Sequence, residues 1–411
     1  MKLIRIGLRH NLLYPFMFLL FIVLCRTIEF IIKTIISDNK KYDKIKSIYP
    51  ILIFIPQFFG GIILILYIYC ISKKKSKTKT KFNGLKLIQT KTFINKSDSL
   101  KKIFLLIILA SYFSFLTILL GKHFISFDSF IKKPHTEIDT DSFLERRIRS
   151  MQIIITAFLC NLTLRIKIYK HHTFSLIVIF IFLLIILCFE KIYLKTHILM
   201  LLIYIFHFII RAFLDTIEKY LIEFNFIDIY KMLTYEGLFS IIIYIILSFR
   251  YILMKDTYKI IYCLIQKMVE GNKKIIILLV LLILFMICSG FRHIYRVNTI
   301  KLYTPMTLAL FELLLDPIFV GFTLYRDCRK LDCFWLYFVI IFVILMIMSF
   351  FSLVYNEFLV LYCYGLEKDT YSEIKMRAID SILNQVNQEE DDDNTPKNNN
   401  SNDNGIEIPQ K

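Results

Sequence analysis

The chain has 411 residues, 57% of them hydrophobic, with a formal net charge of +18 and a mean hydropathy of +0.61. A soluble globular domain uses about 45–50% apolar residues, so this composition excludes a water-soluble monomer and points to a polytopic helical membrane protein. The positive charge falls mostly between apolar runs, where Lys and Arg favour the cytosolic face and anionic lipid, so the lipid bilayer is the expected partner and nucleic acid is not.

A bilayer crossing needs about 20 mainly apolar residues. The apolar runs, punctuated by charges and Pro/Gly, predict ten spans near residues 12–36, 49–72, 103–121, 149–168, 174–190, 196–218, 235–253, 274–291, 303–325 and 334–363. The expected fold is therefore all-α, with about ten transmembrane helices. The first run is too long for a cleavable leader and lacks a small-residue cleavage site, so it reads as the first crossing; within it Arg26 and Glu29, three apart, can neutralise each other. Gln57, Gly60 and Gly61 offer the second span a close-packing face. The connection 72–102 is the richest in Lys and is expected in the cytosol. An even number of spans then places both termini there, and the glycosylation sequon at Asn95 stays unmodified. The opposite-face segment 135–147, HTEIDTDSFLERR, is the one place that suggests an enzyme for lipids or glycans, and its acids read better as a solvated loop.

In the fourth span Gln152, Thr156 and Asn161 supply uncharged hydrogen-bonding groups, suited either to lining a cavity for a polar solute or to interhelical bonding. A basic turn follows at 164–172. Its adjacent His171 and His172 would diverge by about 100° on a helix, and are expected to be interface residues rather than ligands. In the sixth span charges from Arg211 to Lys219 enter the apolar run, and Glu236, Asn356 and Glu357 sit near span ends, where hydration is expected.

The sharpest cluster lies in the ninth span, YTPMTLALFELLLDPIFVGF, where Glu312 and Asp316 are four apart on one helix face, bracketed by Pro305 and Pro317. Charges at bilayer depth cost about 2.5–3.5 kcal/mol each on insertion scales. Two carboxylates so close cannot easily both ionise, so either one carries a proton and couples transport, or both pair with Arg or Lys of neighbouring helices. Nine cysteines are scattered singly, mostly inside spans; only Cys328 and Cys333 are close enough to pair, and no Cys/His cluster has zinc spacing. No Walker loop, GxSxG, HExxH or dinucleotide fingerprint is present, so no enzyme, cofactor or metal site is expected. After Tyr364 an amphipathic stretch gives way to an acidic, Asn-rich tail expected to be disordered.

The ten spans divide five and five, and in each half a polar fourth span and a short basic turn precede a nearly uncharged fifth span. An odd number per half inverts the second half relative to the first. The segments RSMQIIITAFLCNLTLRIKIYKHHTFSLIVI at 149–179 and DTIEKYLIEFNFIDIYKMLTYEGLFSIIIY at 215–244 resemble the drug/metabolite transporter superfamily, in particular its solute carrier 35-like and chloroquine-resistance-transporter-like branches. The resemblance covers about residues 11–364. It implies two inverted five-helix repeats, 11–190 and 191–364, between a cytosolic N-terminus, 1–10, and a cytosolic tail, 365–411. It further implies a cavity lined by the first, fourth, sixth and ninth spans, with Gln152, Thr156, Thr304, Thr307 and Glu312 as candidate lining residues, beside Asp316. The lysine and tyrosine pattern of nucleotide-sugar carriers is missing from the ninth span; an acidic pair stands there, which favours a cationic or proton-coupled solute. The expected function is secondary-active or exchange transport of a small polar metabolite across an endomembrane (Golgi, ER, vacuole or lysosome), with protons as candidate coupling ion and a homodimer as a compatible assembly. The rival is a membrane scaffold or receptor that recruits partners through the basic loop and the tail.

Overall fold

The computed structural model describes residues 4–6, 13–37, 66, 70–71, 96–127, 146–166, 168–193, 198–252, 273–327, 335–362, 365–370, 373–374, 376–377 and 379–381. They are almost wholly helical: α1 (Leu13–Ser37), α2 (Lys96–Phe127), α3 (Ser150–Leu164), α4 (Lys170–Tyr193), α5 (Ile198–Glu223), α6 (Ile229–Ile252), α7 (Lys273–Leu302), α8 (Pro305–Leu313), α9 (Leu315–Asp327) and α10 (Trp335–Tyr355). Among the described residues α1, α4, α7, α8 with α9, and α10 are long and apolar enough to cross a bilayer, which makes this a multi-pass membrane protein. Each of these and the remaining helices coincides with a predicted span. Most of the predicted span at 49–72, with Gln57, Gly60 and Gly61, most of the basic loop, the Asn95 sequon, most of 135–147, Cys328 with Cys333, and the tail from 382 lie outside the described residues.

Several helices outrun their apolar cores. α7 continues past 291 to Leu302, α5 past 218 to Glu223, and α6 starts at Ile229. α5 carries Arg211, Asp215, Glu218 and Lys219, and the added turns of α7 carry Arg292 and Arg296, in steps of mostly three or four residues. That spacing puts them on one helix face, and hydropathy alone cannot distinguish an inward charged face from a loop. α3 is shorter than predicted, about 22 Å by its residue rise. It stops at Arg165, whose backbone sits in the left-handed region at φ 50° with its N–H bonded to the carbonyl of Cys160.

The ninth span is two helices. Thr304 caps α8, accepting from the Thr307 N–H at 3.1 Å, with Pro305 in the first turn, where its missing N–H costs nothing. At Leu314 the helix breaks: its N–H bonds the Phe311 carbonyl instead of that of Leu310. Pro317 has no N–H to offer the Leu313 carbonyl. Two serines of α10 take these carbonyls over, Ser352 donating to Leu310 at 2.8 Å and Ser349 to Leu313 at 3.4 Å. A neighbouring hydroxyl is how a broken helix stays satisfied where water is excluded.

The tenth span does not run to 363 as predicted. α10 ends at Tyr355, Phe358 N–H bonds back to Leu353, and Glu357 takes the left-handed turn position at φ 58°. The next residues form β2 (Leu359–Leu361), antiparallel to β1 (Ile4–Ile6), with Ile4 opposite Leu361 and Ile6 opposite Leu359. An all-α expectation missed this pairing. It places Ile4–Ile6 beside the turn that follows α10.

The main core joins six helices through Ile153 of α3, Ile179 and Ile186 of α4, Phe208 of α5, Leu310 and Leu313 of α8, Val320 of α9, and Ile341 and Leu345 of α10. A second joins α2, α5, α6 and α7 around Ile107, Leu221, Met232 and Val297, and a third packs α1 on α7 through Cys25, Ile32 and Phe285. Large apolar side chains such as Phe158, Ile177, Ile246, Val280 and Leu336 stay exposed, as a surface facing acyl chains requires.

Candidate functional site

Inside this apolar frame runs a seam of charge. Arg149 at the start of α3 and Arg211 on α5 reach the acidic pair: Arg211 pairs with Glu312, and Arg149 lies 3.8 Å from Glu312 and 3.3 Å from Asp316. Both carboxylates are buried, as is Arg149. Of the two readings of the pair, the structure thus supplies the arginine partners. Charges removed from water survive when matched at this range and lose heavily when one partner is missing.

A second cluster lies one turn along α5. Asp215 and Glu218 are buried and share Arg296 of α7, Asp215 at 2.6 Å and Glu218 closer still. Glu236 of α6 is also buried, against Glu218 and Ser114. This corrects the hydrated position expected for Glu236, because α6 starts earlier and carries residue 236 inward. One guanidinium here faces three carboxyls. Lys219, on the same helix, turns to the end of α7, where its ammonium donates to the carbonyls of Ile300, Lys301 and Tyr303 at 2.9, 3.1 and 2.6 Å and pairs with Glu223 at 2.5 Å. It caps the α7 C-terminus, the helix end that favours a cation.

The predicted uncharged residues divide by role. Gln152 and Thr156, four apart on α3, are buried beside the seam; Gln152 donates to Asp215 at 3.5 Å, the limit of a hydrogen bond. The Gln152 side-chain carbonyl and the Thr156 hydroxyl have no hydrogen-bond partner among the described residues. Thr304 and Thr307 instead bond each other at 3.1 Å as part of the α8 cap. Asn161 is exposed.

Arg292 on α7 was not legible as a site residue because the predicted span ended before it. It follows Cys288 and precedes Arg296 by one turn on the inward face, and lies within electrostatic reach of Cys25 and Arg26 of α1, Arg211 of α5 and Glu312 of α8. It is only half-buried and forms no hydrogen bond or ion pair among the described residues. In sequence Arg149 stands at the first residue of the predicted span 149–168, and Arg211 is one of the charges that enter the apolar run of the sixth span. Their spacing from Gln152 and Asp215 was a usable signal, since three- and four-residue steps align polar groups on one face.

Outside the seam, Arg147 pairs with Glu190 at the far end of α4, and the Tyr337 hydroxyl of α10 donates to Glu190 at 2.5 Å. At the opposite end His171 lies 3.4 Å from Glu357. α4 and α10 are therefore antiparallel and tied at both ends. Asn356 and Glu357 are buried rather than hydrated as expected, since β2 folds the chain back over the end of α10.

No protein-family model matches this chain, and no curated protein matches it significantly.

Proposed function

We propose that the chain is a secondary-active or exchange transporter that moves a small polar metabolite across an endomembrane by alternating access. The observation that carries this reading is the charged seam, where the broken helix α8–α9 meets Arg149, Arg211 and Arg292. Ionisable side chains inside a membrane protein are costly and mark solute or ion pathways. Discontinuous helices near such groups are the common device by which secondary transporters build a binding site at depth. Ten crossings in two inverted five-helix repeats, as in the drug/metabolite transporters, suit the antiparallel α4 and α10 and the same-side pairing of β1 with β2. The lysine-rich connection favours a cytosolic position for both termini.

The partners found for Glu312 and Asp316 change the solute we infer. Each acid has an arginine, so the pair offers no surplus negative charge to a cation. Among the described residues Arg292 is half-buried and forms no ion pair, and a solute bearing an anionic group suits it. Protons remain the candidate coupling ion, now through Glu236, which forms no ion pair among the described residues and lies against Glu218.

The test is uptake by purified protein in liposomes, using nucleotide sugars, sugar phosphates, amino acids, basic drugs and thiamine-like cations with and without a pH gradient. Arg292→Gln is expected to abolish uptake of an anionic solute without loss of folded protein, and Glu236→Gln to remove dependence on the gradient. Glu312→Gln is expected to lower folded yield. Absence of flux for every solute, with folding confirmed, would shift the reading to the membrane scaffold.

A further inference from the structure

We propose that His171, His172 and Glu357 form a binding site for a divalent transition-metal ion of the zinc type, joining the start of α4 to the turn after α10. It is separate from the charged seam and does not depend on the transport reading.

One ligand atom from each of the three residues falls within 4.8 Å of the other two. His171 Nε2 and the Glu357 carboxylate are 3.4 Å apart, and tetrahedral zinc with bonds of 2.0–2.1 Å sets its ligands roughly 3.4 Å apart. The rings of the two histidines lie 4.0 Å apart by centroid, so the divergence expected of adjacent helical residues is not what the first turn of α4 shows. Each ring is pulled to the end of α10: His172 packs on Tyr355 at 4.2 Å and His171 reaches Glu357, while Tyr169 stacks on His171 at 6.2 Å and 4°. The aromatic neighbours set the ring planes in advance of binding.

Two further observations point to a ligand. His171 is buried, its Nδ1 has no hydrogen-bond partner among the described residues, and its Nε2 has only the 3.4 Å approach of Glu357, too poorly aligned for a hydrogen bond, a costly state for an imidazole that a metal bond relieves. Glu357 occupies the position after a helix end where the left-handed conformation favours glycine. The chain accepts strain there and in return aims a carboxylate at His171. The Tyr169 N–H approaches His172 Nδ1 at 3.3 Å, so Nδ1 presents its lone pair, and a cation would displace this long contact.

The ligand set selects the ion. Two imidazoles and one carboxylate suit zinc and its neighbours, whereas magnesium and calcium prefer all-oxygen shells. The first turn of α4 carries the positive end of the helix and an exposed Lys170, which disfavours an ion held by field alone and leaves one held by coordinate bonds. Three protein ligands leave a fourth position open to water or to a further side chain. Binding would clamp α4 to α10, the helices that end each predicted repeat.

The test uses the full-length protein in detergent, stripped with EDTA and titrated with Co²⁺ by visible absorption, followed by displacement with Zn²⁺. One Co²⁺ per chain is expected, without the near-ultraviolet charge-transfer band of a thiolate ligand. His171→Ala and Glu357→Gly should each weaken binding by more than about tenfold, the lower end of what even an outer-shell partner costs. Glu357→Gly relieves the left-handed strain, so its metal-free melting temperature should not fall, which keeps loss of binding distinct from loss of fold. Undiminished Co²⁺ affinity in folded Glu357→Gly, a thiolate band, or no saturable binding by folded wild-type protein would each overturn the site.

Discussion

Replacing Arg296 by Met removes the cation shared by Asp215 and Glu218 and leaves these carboxyls, with Glu236, buried without it. Breaking a buried pair by removing one partner costs about 3–5 kcal/mol. For a chain of 411 residues that melts as one unit, an unfolding entropy of about 2.1 cal/mol/K per residue makes 1 kcal/mol worth roughly 1 °C, so the variant should melt about 4–6 °C lower. Cys160 and Cys288 are buried thiols, so a thiol-reactive fluorophore reports the transition in detergent. The triple variant Arg296→Met, Asp215→Asn, Glu218→Gln removes cation and carboxylates together and should recover to within about 2 °C of wild type, because neutral replacement of a buried ion set is often near neutral. An unchanged melting temperature for the single variant, or a triple variant no better than the single, would refute the reasoning that these charges matter by mutual compensation.

Ser352→Ala strands the buried Leu310 carbonyl at the α8–α9 break, a loss of about 1–3 kcal/mol; on the same scale the melting temperature should fall by a few degrees, and less for Ser349→Ala, whose contact is longer at 3.4 Å. Lys219→Met removes the ammonium from three carbonyls at the end of α7, and hydrogen bonds to a charged group are worth about 1.5–3 kcal/mol; faster amide exchange in the last turn of α7 would show the cap released. A methyl at Gly321 would meet the Phe342 ring at 3.1 Å, so Gly321→Val should overpack the α9–α10 contact and cost about 1–3 kcal/mol, with Gly321→Ala the milder change in the same melting assay.

Apolar runs reveal where helices form, because a bilayer crossing demands about 20 apolar residues whatever their neighbours are. Helices coincide with nine of the ten predicted spans among the described residues, and five of them are long and apolar enough to cross. The proline bracket around Glu312 and Asp316 likewise signalled a weakened helix, since a missing N–H is a local property. Hydropathy failed at span edges. Arg292 and Arg296 look like the start of a loop, yet α7 runs through both, and Arg296 is buried against Asp215 and Glu218, because a charge that finds a partner need not leave the helix. The turn at Glu357 and its strand pairing with Ile4–Ile6 were equally illegible, as the two strands lie at opposite ends of the chain.

Composition and periodicity by themselves determined a helical membrane protein, a ninth span weakened by its prolines and a pair of acids on one face; that the break falls at Leu314 came from the structure. Only the tertiary structure decided what those acids meet. The partners Arg149 and Arg211 lie on α3 and α5, and the ligand triad of His171, His172 and Glu357 joins α4 to the end of α10. Periodicity reports which side chains share a helix face, but the balance of charge across a buried seam depends on which faces meet, and that is set by packing between segments far apart in the chain.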